Sequence, residues 1–189
     1  MGMKKLLYAL VIAALSISSC STLCAGIKLV PQYRGVDPKL QGMVDEWLWL
    51  AKQNNLVFSR KVTVGFKKIG RDRVIGLCTY GLGWHEIDID TDIWESISGA
   101  AKLEVVFHEL THCYCNRSHD YGNGIEYPSS ESARVAQALD WTRNGGERPG
   151  RLADGCPSSI MYPIALQDDC VWHHYDFYVA EMFDRCKPF

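Results

Sequence analysis

The chain has no excess of positive charge, no internal repeat and no low-complexity tract. Its 20 Lys and Arg stand against 22 Asp and Glu, so no basic field is available to recruit nucleic acid. With 47% hydrophobic and 22% charged residues over 189 positions, the composition is that of one packed domain and excludes a disordered chain. A run of bilayer-spanning length is also missing. The longest apolar stretch, residues 6–17, is too short to cross a membrane and stands directly behind Lys4 and Lys5. Histidine is scarce, at six residues, so the places where histidines cluster carry information.

Basic pair, apolar run and Ser18-Ser19-Cys20 follow one another as the three regions of an export signal. Ile17-Ser18-Ser19-Cys20 resembles a bacterial lipobox, which implies a lipoprotein-type signal peptide over 1–19 and a lipid on Cys20. Residues 20–36 then form a tether and 37–189 the domain. The expected location is the bacterial cell envelope, exported and anchored by lipid to a membrane that faces the periplasm or the exterior. An oxidising compartment would pair most of the other cysteines, at 24, 78, 113, 115, 156, 170 and 186. Cys113 and Cys115, two apart on one helix, point about 200° from each other and cannot bond together. Cys156 and Cys170, flanking 157–169, are the favoured pair, and the remaining connectivity stays open.

Asp37-Pro38 supplies an N-cap and a first-turn proline, and Leu40, Met43, Val44, Trp47 and Ala51 recur at helical spacing, which predicts a helix over 38–54. Val62, Val64 and Phe66 alternate with Thr63, Gly65 and Lys67 as in a strand, and a second strand runs over 74–80 after the turn Gly70-Arg71-Asp72. A third strand sets Ile87, Ile89 and Ile93 on one face against Glu86, Asp88, Asp90 and Asp92 on the other, and the acidic face is read as solvated. From 98 to 115 the period returns to 3.6, with Leu103, Val106, Phe107, Leu110 and Tyr114 as the core stripe. Loops are expected over 116–128 and 143–158, a modest helix over 131–142, and a closing helix over 168–186 carrying Val171, Tyr175, Tyr178, Val179, Met182 and Cys186. The fold class is α+β.

Within the fourth element stands His108-Glu109-Leu110-Thr111-His112. Residues four apart share a helix face, so both imidazoles can reach one Zn²⁺ while Glu109 stands beside it as a general base. With six His and nine Glu, such a motif arises by chance in roughly one chain in a hundred of this composition. A catalytic zinc site normally needs a third protein ligand. Cys115 shares the face of His108 but lies roughly 7.5 Å along the axis from the level of residue 110, beyond the reach of its side chain. His119, just past the helix end, and Glu131, nineteen residues after His112, remain as candidates. His85, His173 and His174 are read as surface or satisfied histidines, because no spacing ties them to the pair.

Further on lies Ser158-Ser159-Ile160-Met161-Tyr162-Pro163. With the H-E-x-x-H it resembles the metzincin zinc endopeptidases, whose signature H-E-x-x-H-x-x-G-x-x-H is followed by a Met-turn. Ile160-Met161-Tyr162-Pro163 resembles the matrixin Met-turn, and His119-Asp120 the end of the adamalysin signature. Six residues separate His112 from His119 where the pattern has five, and Cys115 stands at its glycine. A metallopeptidase pattern H-E-x-x-H-x-x-x-x-R-x-H followed by S-I-M is similar in this region, with Arg117 and Ser159-Ile160-Met161 as the matching residues. The resemblance implies a zincin fold with a twisted mixed sheet, an active-site helix and an irregular C-terminal part closed by a helix. It also implies His119 as third ligand, with Met161 as an apolar floor.

The function so implied is an endopeptidase that hydrolyses peptide bonds with a zinc-activated water, Glu109 serving as general base. The expected partner is a polypeptide substrate, bound by a monomer, and residues 86–93 are the candidate edge strand along which it pairs. Two alternatives remain: a thermolysin-like peptidase with Glu131 as third ligand, and a non-catalytic envelope lipoprotein braced by zinc.

Overall fold

Trp47 sits at the centre of the core with no exposed surface. Its indole lies against Phe58, Tyr114 and Phe183 with ring centroids 5.4, 5.1 and 5.3 Å away. These contacts belong to a computed structural model that describes residues 32–71, 74–121 and 150–188. Cys20, Cys24, Glu131, the signal peptide and the helix expected over 131–142 lie outside the described residues.

The elements run α1 (Gln41–Gln53), β1 (Val62–Lys67), β2 (Gly76–Gly81), β3 (Trp84–Asp90), α2 (Thr91–Trp94), α3 (Gly99–Cys115), α4 (Asp168–His173) and α5 (Tyr175–Asp184). The fold is mixed α+β around a three-stranded sheet of order β1-β3-β2, with β1 parallel and β2 antiparallel to β3. Helix α3 packs against β2 and β3 on one side and against α1 and α4 on others, so nearly all of it is buried. The core stripe read from its period is buried as expected: Leu103, Val106, Phe107, Leu110 and Tyr114. Full burial of one such side chain stabilises by about 1.5–3 kcal/mol, which is why the helical period was legible. No helix among the described residues is long and apolar enough to cross a membrane.

Several boundaries differ from the sequence reading; the second strand, expected over 74–80, runs over Gly76–Gly81. Helix α1 begins three residues late, because Asp37 closes a turn instead: its Oδ1 accepts from Lys39 N–H at 2.9 Å and its carbonyl from Leu40 N–H at 2.9 Å. The third strand ends at Asp90, whose carboxylate accepts the N–H groups of Asp92 (2.9 Å) and Ile93 (3.2 Å) and so starts α2. The closing helix is broken at His174, whose backbone leaves the helical region (φ −115°) and whose imidazole pairs with Asp154 at 2.5 Å.

A larger correction concerns β3. It is the central strand, bonded on both sides, so residues 86–93 are not the edge strand expected for pairing with a substrate; the edges of the described sheet are β1 and β2. Nor is its acidic face solvated. Glu86 and Asp88 are covered by residues 32–33, read from sequence as tether, and Asp90 is buried with its carboxylate accepting the Ile69 N–H at 2.8 Å. The backbone N–H groups of Gln32 and Tyr33 donate to Glu86, the Tyr33 hydroxyl donates to Asp88 Oδ1 at 2.9 Å, and Lys67 Nζ lies 3.1 Å from Asp88 Oδ2. Tyr33 can lie this close because Gly65 has no side chain; a Cβ there would stand 2.6 Å from the tyrosine ring. Only Asp92 stays exposed, paired with Lys68 at 2.7 Å. Buried carboxylates survive where donors and a cation meet them, a condition that alternation along the strand does not reveal.

Three disulfides tie these parts together: Cys78–Cys113 between β2 and α3, Cys115–Cys186 between the end of α3 and the C-terminal segment, and Cys156–Cys170, the pair favoured from sequence. Such a set suits an oxidising, exported environment.

Candidate metal centre

The i, i+4 spacing on α3 sets His108 and His112 on one face, with ring centroids 4.7 Å apart. A backbone carbonyl orients each ring. His108 Nδ1 donates to Ile160 O at 2.7 Å and His112 Nδ1 donates to Arg117 O at 2.5 Å. A carbonyl can only accept, so the proton of each ring sits on Nδ1 and each Nε2 offers a lone pair. Burial holds both imidazoles below the ordinary histidine range, most strongly His108, and the neutral form is the one that ligates.

His119 reaches the same point because the chain reverses after α3. Asn116 adopts the left-handed conformation (φ 52°, ψ 34°) that ends the helix, and Arg117 then anchors the returning loop. The Arg117 guanidinium is buried and donates to Glu181 O (3.0 Å), Met182 O (3.3 Å), Asp120 Oδ2 (2.8 Å), Ser159 Oγ (3.3 Å) and Glu181 Oε1 (2.5 Å). Those acceptors come from the loop of His119, from α5 and from the segment of Met161. Asp120 N–H donates to Met161 O at 3.0 Å, which fixes the residue after His119 against that segment. Glu181 also receives Ser159 Oγ–H (3.0 Å) and Ile160 N–H (3.2 Å), and Met161 is fully buried. The left-handed turn at Asn116 and the side chain of Arg117 thus bring His119 back to the helix face that carries His108 and His112.

His112 Nε2 and His119 Nε2 each lie 3.0 Å from His108 Nε2. The lone pairs of His108 and His112 face each other with no proton between them, an arrangement that a cation would relieve. Tetrahedral zinc with Zn–N of about 2.0–2.1 Å holds its nitrogens about 3.3 Å apart, close to the spacing here. The three imidazoles therefore fit a metal ion held through Nε2. A second group that could be mistaken for such a site, Asp154, Cys156 and His174, has no thiolate to offer, because Cys156 is bonded to Cys170. His85 is buried beside the Cys113 backbone, and His173 is exposed with Nδ1 donating to Asp169 O at 2.9 Å. Neither joins the trio.

The trio opens onto a cleft of about 510 Å³, bordered by β2 on one side and by 116–119 and 162–165 on the other. Glu109 lines it, its carboxyl pushed up to about 8 by burial and drawn partly back by the Cys78 N–H. Strand β2 can pass over this side chain only because residue 76 is glycine: a Cβ there would lie 2.5 Å from Glu109 Cγ. The Cys78–Cys113 disulfide holds β2 to α3 at the same place. Glu104, one turn before His108, also lines the cleft. It is buried, its Oε2 has no hydrogen-bond partner among the described residues, and its carboxyl is pushed up to about 8 by burial and by Glu109.

Sequence reasoning did not single out Gly76, Glu104 or Glu181. A glutamate inside an otherwise apolar stretch of α3 was the available signal for Glu104; nothing local marks the other two. Comparison with protein-family models, with curated proteins and with solved structures gives no match for this chain.

Proposed function

We propose that the chain is a zinc-dependent endopeptidase of metzincin-like fold, exported and anchored through lipid at Cys20. The observation that carries this reading is the convergence of three imidazoles beside Glu109 in an open cleft with a strand edge along its wall. His108, His112 and His119 would hold the ion, in preference to a set completed by Glu131. When bound, zinc supplies Lewis-acid polarisation of a carbonyl and a lowered pKa for water. Glu109, in reach of the same space, accepts the proton of the attacking water and passes it to the leaving amine. The edge of β2 aligns an extended polypeptide by backbone pairing, with Gly76, Leu77, Cys78 and Tyr80 facing the cleft. His108 and His112 stay neutral and oriented through Ile160 O and Arg117 O throughout.

The test is the metal content of the purified mature protein, followed by a comparison of wild type with Glu109→Gln on a peptide library. Stoichiometric zinc in both, with hydrolysis lowered about 10²–10⁴-fold in the variant, is the expected result. Equal activity in the two proteins sinks the proposal, and zinc without hydrolysis in either supports a zinc-braced lipoprotein instead. Full zinc retention in His119→Ala refutes the ligand set.

A further inference from the structure

A buried carboxylate is normally met by donors from its own protein, and a group left without them points to something missing from the picture. Glu104 is such a group: 3% exposed, with Oε2 unpartnered among the described residues. It does not orient the metal ligands. Its Oε1 lies 4.0 Å from His108 Nδ1, beyond hydrogen-bond range, and that nitrogen already donates to Ile160 O at 2.7 Å. Away from the cleft it borders Leu103, Phe107, Leu166 and Val171 together with Tyr178, whose hydroxyl is already engaged, donating to Pro157 O at 2.7 Å. Of the two hollows that Glu104 borders, the cleft is the one with polar lining, so a polar partner would come from there.

The approach to Glu104 has a particular character. Val105, Pro163 and Ala165, all apolar, line the same cleft as this carboxyl group. Lys and Arg have the matching shape, an apolar stem that tolerates burial and a charged tip that donates hydrogen bonds. Along α3, Glu104 lies about 6 Å from the level of His108 at 1.5 Å per residue, a distance for a long side chain whose backbone sits at the metal. We infer that Glu104 is a specificity-determining residue, selecting a substrate with a Lys or Arg side chain flanking the bond to be cut. A short or acidic side chain leaves the carboxyl unmet or repels it. This inference rests on the peptidase reading above.

The zinc-loaded protein is assayed on peptide libraries that vary the residue on each side of the scissile bond, and uncleaved peptides are titrated into Glu109→Gln by fluorescence anisotropy. Wild type is expected to favour Lys or Arg over norleucine at one flank by about tenfold or more in kcat/KM, the scale of one charge-assisted hydrogen bond. Glu104→Gln should reduce the preference to about twofold, and Glu104→Leu should invert it, with zinc affinity unchanged in both. The same order should appear in peptide binding to Glu109→Gln with and without Glu104→Gln. Cleavage with no basic preference, a preference that survives Glu104→Leu, or loss of zinc in Glu104→Gln overturns the inference while the peptidase reading stands. Neither cleavage nor binding of any peptide by zinc-loaded wild type removes the peptidase reading itself, and the inference with it.

Discussion

Removing the guanidinium of Arg117 should both destabilise the protein and weaken its hold on metal. Five acceptors converge on this group, and two are carboxylates with little access to water: the Asp120 and Glu181 side chains are 15% and 12% exposed. In Arg117→Ala the Glu181 carboxylate loses its counter-charge and Asp120 keeps only Arg185, 3.9 Å away, a change that approaches the cost of about 3–5 kcal/mol for deleting one partner of a buried pair. Total stabilities of about 5–15 kcal/mol make that a large fraction. Arg117→Lys retains the charge but not the fork, since one ammonium cannot serve acceptors spread over three segments; its loss should fall between wild type and Arg117→Ala. Zinc affinity follows through His119, whose loop is pinned by Arg117–Asp120 and by Asp120 N–H to Met161 O. Deleting a group that only positions a ligand lowers metal affinity by about 10–100-fold. His112 is spared, because the Arg117 main-chain carbonyl that orients it survives the substitution. Urea unfolding of the metal-free protein with disulfides intact reads the first effect, and competition against a chromophoric chelator reads the second. A stability loss under about 1 kcal/mol, together with wild-type zinc affinity, would refute the reasoning.

Gly76→Ala should push the Glu109 side chain aside while leaving the imidazoles in place, so hydrolysis falls at least about tenfold with zinc content unchanged; equal turnover would show that β2 yields instead. Replacing both Cys78 and Cys113 by Ala removes a link across 35 residues, worth about 4 kcal/mol by chain entropy, and frees the cleft edge; urea midpoints and peptide KM should both change. Burial, with Arg60 adding to it, depresses the pKa of His85, so below about pH 6.5 the unfolded chain binds a proton that the folded one refuses. Stability of the metal-free protein should therefore drop on acidification from pH 7 to 5.5, less steeply in His85→Phe. A melting profile with the same slope in both proteins would contradict that assignment.

Much of the site was legible because it lies within one helix. The period of α3, its Ser98 cap and the shared face of His108 and His112 are local properties, set by 3.6 residues per turn and by a serine whose Oγ accepts the Ala101 N–H at 3.0 Å. Strands β1 and β2 were legible for the same reason, and so was the impossibility of a Cys113–Cys115 bond. Sheet order was not, because an alternating pattern looks the same on an edge as in a centre that polar partners cover. Hence the acidic face of β3 was misread: Gln32 and Tyr33, which donate to Glu86 and Asp88, lie more than 50 positions away, and Lys67, the cation beside Asp88, lies 21 away.

The sequence alone determined that two imidazoles would share a helix face with a carboxylate beside them, since spacing within a helix is fixed by its hydrogen-bonded geometry. Tertiary structure decided which third group meets them. That choice depends on a left-handed residue at 116, on a buried arginine shared among three segments, and on carbonyls at 117 and 160 that aim the rings. It also turned Glu104 from one more residue in a helical run into an unmet carboxylate at the wall of a cleft. Burial and unsatisfied polarity are properties of packed surroundings, and no stretch of sequence contains its own surroundings.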